Sequence, residues 1–279
     1  MTSGYQLRGR VAIVTGASRG IGAGIAKRFA AEGAKLVLVA RTLAPSAGLP
    51  GSLTEVAEFI RSQGGECDVL QANIADPADR ARIVPFTLER FGRCDILVNN
   101  VAWCRYPAVW EAEPKHVRLA FEINVFAPQE LSQAVFVPMR EQGEGWILNI
   151  SSATADPLPS APYDFSERAQ QFNRDGHATI YGTSKAALER LSSGWAIEAS
   201  NYNIAVNSLA PVAVVLSEGA KALGTFTSED HVEPVEAMAE AALQLCSRPA
   251  NVNSGNTVKS LPYLESIGVA VRGLAGQKM

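Results

Sequence analysis

The stretch from Val11 to Ile25, VAIVTGASRGIGAGI, constrains this chain more than any other. Val11, Ala12, Ile13 and Val14 form a short apolar run that suits a strand buried on both faces of a parallel sheet. Thr15 and Gly16 end it. Gly16, Gly20 and Gly22 fall in a tight turn where bulky side chains would block the backbone, and helical spacing begins at Ile21. Strand, glycine turn and helix in that order aim the helix's first N–H groups and its positive dipole end at one spot, where a phosphate or pyrophosphate fits. The spacing is TGxxxGxG rather than GxGxxG, so a tight turn without a ligand stays open as the alternative.

With 279 residues, 47% of them hydrophobic, the chain can build a full α/β core. One domain over 1–279 is expected, combining dinucleotide binding and catalysis. The net charge of −3 and the lack of a basic tail speak against nucleic acid as a partner. No apolar run reaches about eighteen residues, and MTSGYQLRGR holds no apolar region before Val11. The reading is a cytoplasmic protein without a membrane partner. Cys67, Cys94, Cys104 and Cys246 show neither CxxC spacing nor clustering with His116, His177 or His231, which reads as buried thiols and no metal site.

Along the chain, Ile21, Ile25, Ala26, Phe29 and Ala30 keep helical spacing up to a C-capping Gly33, and KLVLVA over 35–40 is a second buried strand. In a doubly wound fold a carboxylate about 20 residues past the glycine turn takes the ribose 2′-OH of NAD, whereas an Arg takes the 2′-phosphate of NADP. Here the strand runs into Ala40 and Arg41, and Arg19 stands in the turn itself. Two guanidiniums without a competing carboxylate favour NADP(H), with NAD(H) possible; the alternative is two solvated arginines. Residues 43–52 read as a loop, about 52–63 as a helix, Cys67–Ala72 as strand three with Asn73 and Ile74 at its end. Asp76 and Pro77 open a helix that stops near Gly92, and Asp95–Val98 is strand four, followed by Asn99 and Asn100. Such alternation implies βαβ crossovers and a ligand crevice at the carboxyl ends of the strands.

Trp103, Tyr106 and Trp110 lie in a segment without periodicity, suited to an apolar substrate pocket or to packing. A helix from about Lys115 to Val135 carries Asn124 on an apolar face. Pro128, four residues on, has no N–H for the Asn124 carbonyl, so a kink is expected there. Trp146–Ile150 is strand five and delivers Ser151 and Ser152 to the sheet edge. Residues 153–179, polar and rich in proline, read as a long functional loop lying over the mouth, with His177 on its surface. From Ile180 to Ser200 a helix turns Leu188, Leu191 and Trp195 to the core. On it Tyr181 and Lys185 share one face, where an ammonium would favour the phenolate and tune Tyr181 as a general acid or base.

Taken together, TGxxxGxG, the serine pair ending a buried strand and YxxxK resemble the short-chain dehydrogenase/reductase family over roughly residues 8–215. The resemblance implies a Rossmann-like, doubly wound, mostly parallel sheet of about seven strands, often assembled as a homodimer or homotetramer. It implies a nicotinamide-dependent oxidoreductase, read here as interconverting a carbonyl and a secondary alcohol, and the aromatic segment with Trp103, Tyr106 and Trp110 suggests a small, moderately apolar substrate. Gly16, Ser18, Arg19, Gly20, Ile21 and Gly22 match the pyrophosphate turn, and NNVA from Asn99 matches the family's NNAG. Asn124 matches the asparagine that relays protons through a water, Ser152 the serine that holds the substrate oxygen, Tyr181 the acid/base, and Lys185 its partner, which also binds the nicotinamide ribose. Asn73 replaces the usual aspartate near the adenine, Ala102 replaces a glycine, and Pro211-Val212 replaces Pro-Gly, leaving Val214 to meet the carboxamide through its backbone. Glu167 stands four residues after Tyr163, so Tyr163 lacks the partnering lysine. A substrate loop is expected over about 212–232, with Val215–Phe226 as the second wall. A redox-silent dinucleotide-binding protein and a lyase or epimerase are the alternatives on this fold.

Overall fold

Uninterrupted apolar runs become strands covered on both faces, and this accounts for the centre of the molecule. In the computed structural model, which describes residues 5–45, 50–215 and 232–279, β1 (Val11–Thr15), β4 (Ile96–Asn99), β5 (Gly145–Ile150) and β6 (Ile204–Ala210) are buried at every position. β2 (Lys35–Ala40) is buried beyond its first residue, whereas β3 (Glu66–Gln71) at the sheet edge is half exposed. With β9 (Thr257–Lys259) they form a seven-stranded sheet in the order β3-β2-β1-β4-β5-β6-β9. Every pairing in it is parallel.

Alternate strand residues feed two cores. Ala12 and Val14 join Ile25 and Phe29 of α1 (Gly20–Ala31) on one face, with Leu243 of α8 (Val235–Ser247). Ile13 joins Ile83 of α3 (Pro77–Phe91) and Leu131 of α5 (Ala127–Gln142) on the other. Local chemistry sets the helix ends. Gly33, at φ 82°, closes α1, with its N–H on the Ala30 carbonyl and that of Ala34 on Phe29. Ser52 accepts from the Glu55 N–H and donates to its carboxylate at the start of α2 (Leu53–Ser62).

The chain winds outward from β1 to β3 and then crosses to β4, so β1 and β4 flank the switch point where such sheets open a crevice. Two expected elements come out differently. The helix foreseen over 115–135 is α4 (Pro114–Phe121), a π turn at Glu122–Phe126, then α5. Proline cannot take the Asn124 carbonyl, and the ladder absorbs this as a wider turn in which the Ala127 N–H bonds to Glu122. The foreseen loop 153–179 contains a 3₁₀ turn at Ala153–Ala155 and α6 (Arg168–Gly176) before α7 (Thr179–Glu198). RAQQFNRDG has no apolar stripe and buries no residue, so periodicity could not announce α6. β7 (Val214–Val215) pairs with β8 (Val232–Glu233), and most of the expected substrate loop, including 216–226, lies outside the described residues. Among the described residues no helix is long and apolar enough to cross a membrane.

Candidate active site

The glycine turn is held open by what surrounds it. Gly16 and Gly20 have φ of 68° and 56°, which disfavours any side chain. A Cβ on Gly22 would sit 2.4 Å from the Gly16 oxygen and 2.5 Å from Asn100 Nδ2. Asn100 is the clamp: its Nδ2 donates to the Thr15 carbonyl at 2.9 Å, and its backbone N–H donates to Thr15 Oγ1, also at 2.9 Å. Sequence reasoning placed Asn99 at the cofactor. Asn99 instead turns its side chain into the sheet, donating to Asn149 Oδ1 at 2.9 Å, and Asn149 donates on to Ser192 of α7 at 2.8 Å. Strand alternation is the reason, since consecutive residues face opposite ways.

At the ends of β2 and β3, Arg41, Gln71, Asn73, Asp79 and Arg82 line a cavity of about 390 Å³. Arg41 is exposed, and Arg19 donates to the Gly51 carbonyl at 2.6 Å and reaches Thr42 Oγ1 at 3.4 Å. The fold therefore brings a carboxylate, Asp79, toward Arg41, which the linear sequence did not reveal. Asp79 is already engaged: the Asn73 N–H and then Arg82 hold its carboxyl below the usual range, with Arg82 at 2.6 Å. Asn73 spends its own Oδ1 on the Ala75 N–H, and Ile74 gives its carbonyl to Arg80 at 2.6 Å.

The four expected catalytic side chains converge at the carboxyl ends of β4 and β5. Asn124, fully buried in the π turn, accepts from the Trp103 N–H at 2.8 Å and donates to the Trp103 carbonyl and to Ser184 Oγ at 3.0 and 2.9 Å. Ser184 passes the chain to the Tyr181 carbonyl at 2.7 Å. Ser152 Oγ accepts from the Thr154 N–H and hydroxyl, which folds the 3₁₀ turn beneath it. Gly182 went unremarked in the sequence, yet a Cβ there would lie 2.4 Å from the Thr154 oxygen. Its missing side chain lets α7 press Tyr181 against the Ser152 turn.

The electrostatics correct one expectation. Lys185 does not hold the phenol down. Its Nζ donates to the Ile150 carbonyl at 2.7 Å and sits 5.8 Å from the centre of the Tyr181 ring. Burial raises the Tyr181 phenol, Cys104 adds to that, and a hydrogen bond with Ser152 opposes it. The strongly tuned cation is Lys185 itself, pushed down by burial to about 8 against the pull of Cys104 and Glu189. Glu189, one turn along α7, takes a 2.6 Å hydrogen bond from Ser151.

Cys104 is a second correction. Cys67, Cys94 and Cys246 are buried as foreseen, but Cys104 is half-buried beside the site, where burial raises its thiol, and it donates to Tyr106 Oη at 3.0 Å. The Tyr106 ring stands edge-on to Tyr181 and to Phe172 of α6, at 5.8 and 5.7 Å. Trp110 packs on His177 at 6.0 Å, so that histidine is half-buried rather than a free surface group. Pro211 and Val214 flank backbone that is fixed by Glu233, a buried carboxylate absent from the sequence reading. It accepts from the Val212 N–H at 2.7 Å and from Ser260, and burial raises it.

The family model described as short chain dehydrogenase matches residues 10–163. The 7alpha-hydroxysteroid dehydrogenase of Escherichia coli is 32% identical over 259 residues, covering 90% of this chain and 92% of that protein. The crystal structure of a short chain dehydrogenase from Mycobacterium thermoresistibile superposes with a TM-score of 0.80 at 30% identity, over 94% of this chain and 89% of that one. A structure of 7 alpha-hydroxysteroid dehydrogenase complexed with NADH and 7-oxo glycochenodeoxycholic acid gives a TM-score of 0.77 at 26% identity, over 100% of this chain and 99% of that one.

Proposed function

The chain belongs to the short-chain dehydrogenase/reductase family of oxidoreductases, and from that premise we propose that it uses NADP(H) to interconvert a carbonyl and a secondary alcohol on a small, moderately apolar substrate. The observation that carries this reading is the convergence of Asn124, Ser152, Tyr181 and Lys185 beside a glycine turn that has no room for a side chain. When bound, the nicotinamide supplies or accepts the hydride. The turn residues Gly16, Ser18, Arg19, Gly20, Ile21 and Gly22 cradle the pyrophosphate at the start of α1. Arg41, with Arg19, meets the 2′-phosphate, and Asn73, Ile74 and the Asn99 backbone border the adenosine. Pro211 and Val214 line the carboxamide through their main chain.

Ser152 and Tyr181 hydrogen-bond the substrate oxygen. Tyr181 gives up its proton as negative charge develops there, so the donors stabilise the transition state more than the ground state. Because burial holds the phenol protonated, Tyr181 is ready as the acid of carbonyl reduction. Lys185, held on the Ile150 carbonyl, orients the ribose, and Asn124 returns protons to the site through water. The apolar Phe126, Val137 and Ile197, exposed on the π turn, α5 and α7, suit a homodimer or homotetramer, and a cytoplasmic location fits the same reading.

The test is Tyr181→Phe. Carbonyl reduction is expected to fall by about 10²–10⁴-fold, the range for losing a positioned general acid, while NADPH binding, which Tyr181 also borders, stays largely intact by fluorescence titration. A Phe variant with full turnover would sink the assignment. Turnover of the native enzyme without net NADPH consumption would move it to the lyases or epimerases.

A further inference from the structure

The aromatic contacts at the mouth connect two segments that the sequence keeps far apart. Tyr106 is nearly perpendicular to both neighbours, with interplanar angles of 88° to Tyr181 and 79° to Phe172. Its hydroxyl accepts from the Cys104 thiol on its own loop at 3.0 Å, and its ring faces both Tyr181 and Phe172. Phe172 is set from behind as well. A Cβ on Gly176 would meet the Phe172 ring at 2.9 Å, so the helix end is bare where the ring lies back. The neighbouring charges of α6, Arg174 and Asp175, pair with each other at 2.6 Å.

We propose that α6 is a substrate-selecting wall of the active site, where Phe172 and Tyr106 favour a neutral carbonyl compound bearing an apolar ring next to its reacting carbon. A ring entering beside Tyr181 completes the edge-to-face array already formed by Tyr181, Tyr106 and Phe172. Aromatic pairs of this geometry add attraction beyond area burial. The polar groups at the reacting centre, Ser152, Tyr181 and Lys185, are committed to the carbonyl oxygen and the cofactor. The rest of the substrate therefore meets rings, the Cys104 thiol and the Tyr106 hydroxyl that the thiol donates to. This inference rests on the oxidoreductase reading for the word carbonyl, but the wall can be tested without turnover.

Cys104 provides the readout, because the three other thiols are buried. The native protein is incubated with NADP⁺ and iodoacetamide, and alkylation of the Cys104 peptide is followed by mass spectrometry in the presence of acetophenone or 2-octanone. Both ketones have the same number of carbons. Acetophenone is expected to protect Cys104 at about tenfold lower concentration, the ratio that one good aromatic contact supplies. Phe172→Ala should abolish this preference and speed alkylation, whereas Phe172→Trp should keep the preference. Equal protection by the two ketones in the native protein, or a preference that survives Phe172→Ala, overturns the proposal. Ring-selective protection that depends on Phe172, in a protein that reduces no ketone with either cofactor, supports the wall and removes the redox reading.

Discussion

The two sides of the crevice are built by different means. On the cofactor side, shape comes from backbone: two positive-φ glycines, a third whose Cβ would collide with Gly16, and Asn100 bonded to main-chain oxygen. On the side we propose for the substrate, shape comes from side chains that meet across long sequence distances, namely Cys104 and Tyr106 from the loop after β4, Phe172 from α6 and Tyr181 from α7. Backbone geometry tolerates few residue types. Ring packing tolerates many, so the first side can be held constant while the second is rebuilt around another substrate.

The largest test of this contrast lies behind the cofactor side. The helix that starts at the glycine turn is anchored by Arg28, fully buried, whose Nε meets Glu240 of α8 at 2.8 Å while Nη1 meets Glu32 at 2.6 Å. Glu240 also accepts from Gln244 at 3.0 Å. Glu240→Ala leaves Arg28 Nε unpaired in the core, with Glu32 still on Nη1, and is expected to cost about 3 kcal/mol in urea unfolding. A loss under about 1 kcal/mol, within the range of an exposed pair, would mean that α1 does not depend on this anchor.

This contrast also explains what could be read in the sequence. Glycine spacing, apolar strands and the missing N–H of Pro128 are rules of the local chain, and they located the turn, the sheet and the distortion at Asn124. Tyr181 and Lys185 were legible because a helix fixes their four-residue spacing. Gly182, Glu233, Asn100 and α6 were not. Each acts on a partner that only the folded chain supplies: Thr154, Val212, Thr15 and Tyr106 in turn. The charge logic at Tyr181 failed for the same reason, since helical spacing gives neither burial nor the Ile150 carbonyl that holds the ammonium.

A smaller effect sharpens the electrostatic side of the comparison. Lys185 is buried with its ammonium lowered from 10.5 to about 8, facing Cys104 and Glu189. Below about 8 both the folded and the unfolded chain carry the proton, and the full cost of burying the charge is present. Between about 8 and 10.5 the unfolded chain keeps a proton that the folded chain has released, so stability rises with pH. Relative to Lys185→Met, the native protein is expected to gain up to about 3 kcal/mol across that window. Parallel stability curves for the two proteins, measured by thermal unfolding between pH 7 and about 10.5, would show that burial of the ammonium carries no such cost.

The smallest effect tests whether the cofactor side also uses a replaceable side chain. Arg41 is exposed at the end of β2, while Asp79, across the same cavity, is occupied by the Asn73 N–H and by Arg82. If the guanidinium meets a 2′-phosphate, Arg41→Ala removes a charge-assisted contact from NADPH and none from NADH. NADPH binding should weaken by about tenfold, which corresponds to one hydrogen bond to a charged group, and NADH binding should stay within about twofold of native, under 0.5 kcal/mol. Fluorescence titration with each cofactor measures both. Equal weakening of the two would assign Arg41 to the shape of the loop after β2. Arg19 would then carry the phosphate, and its release from the Gly51 carbonyl would be the step that admits it.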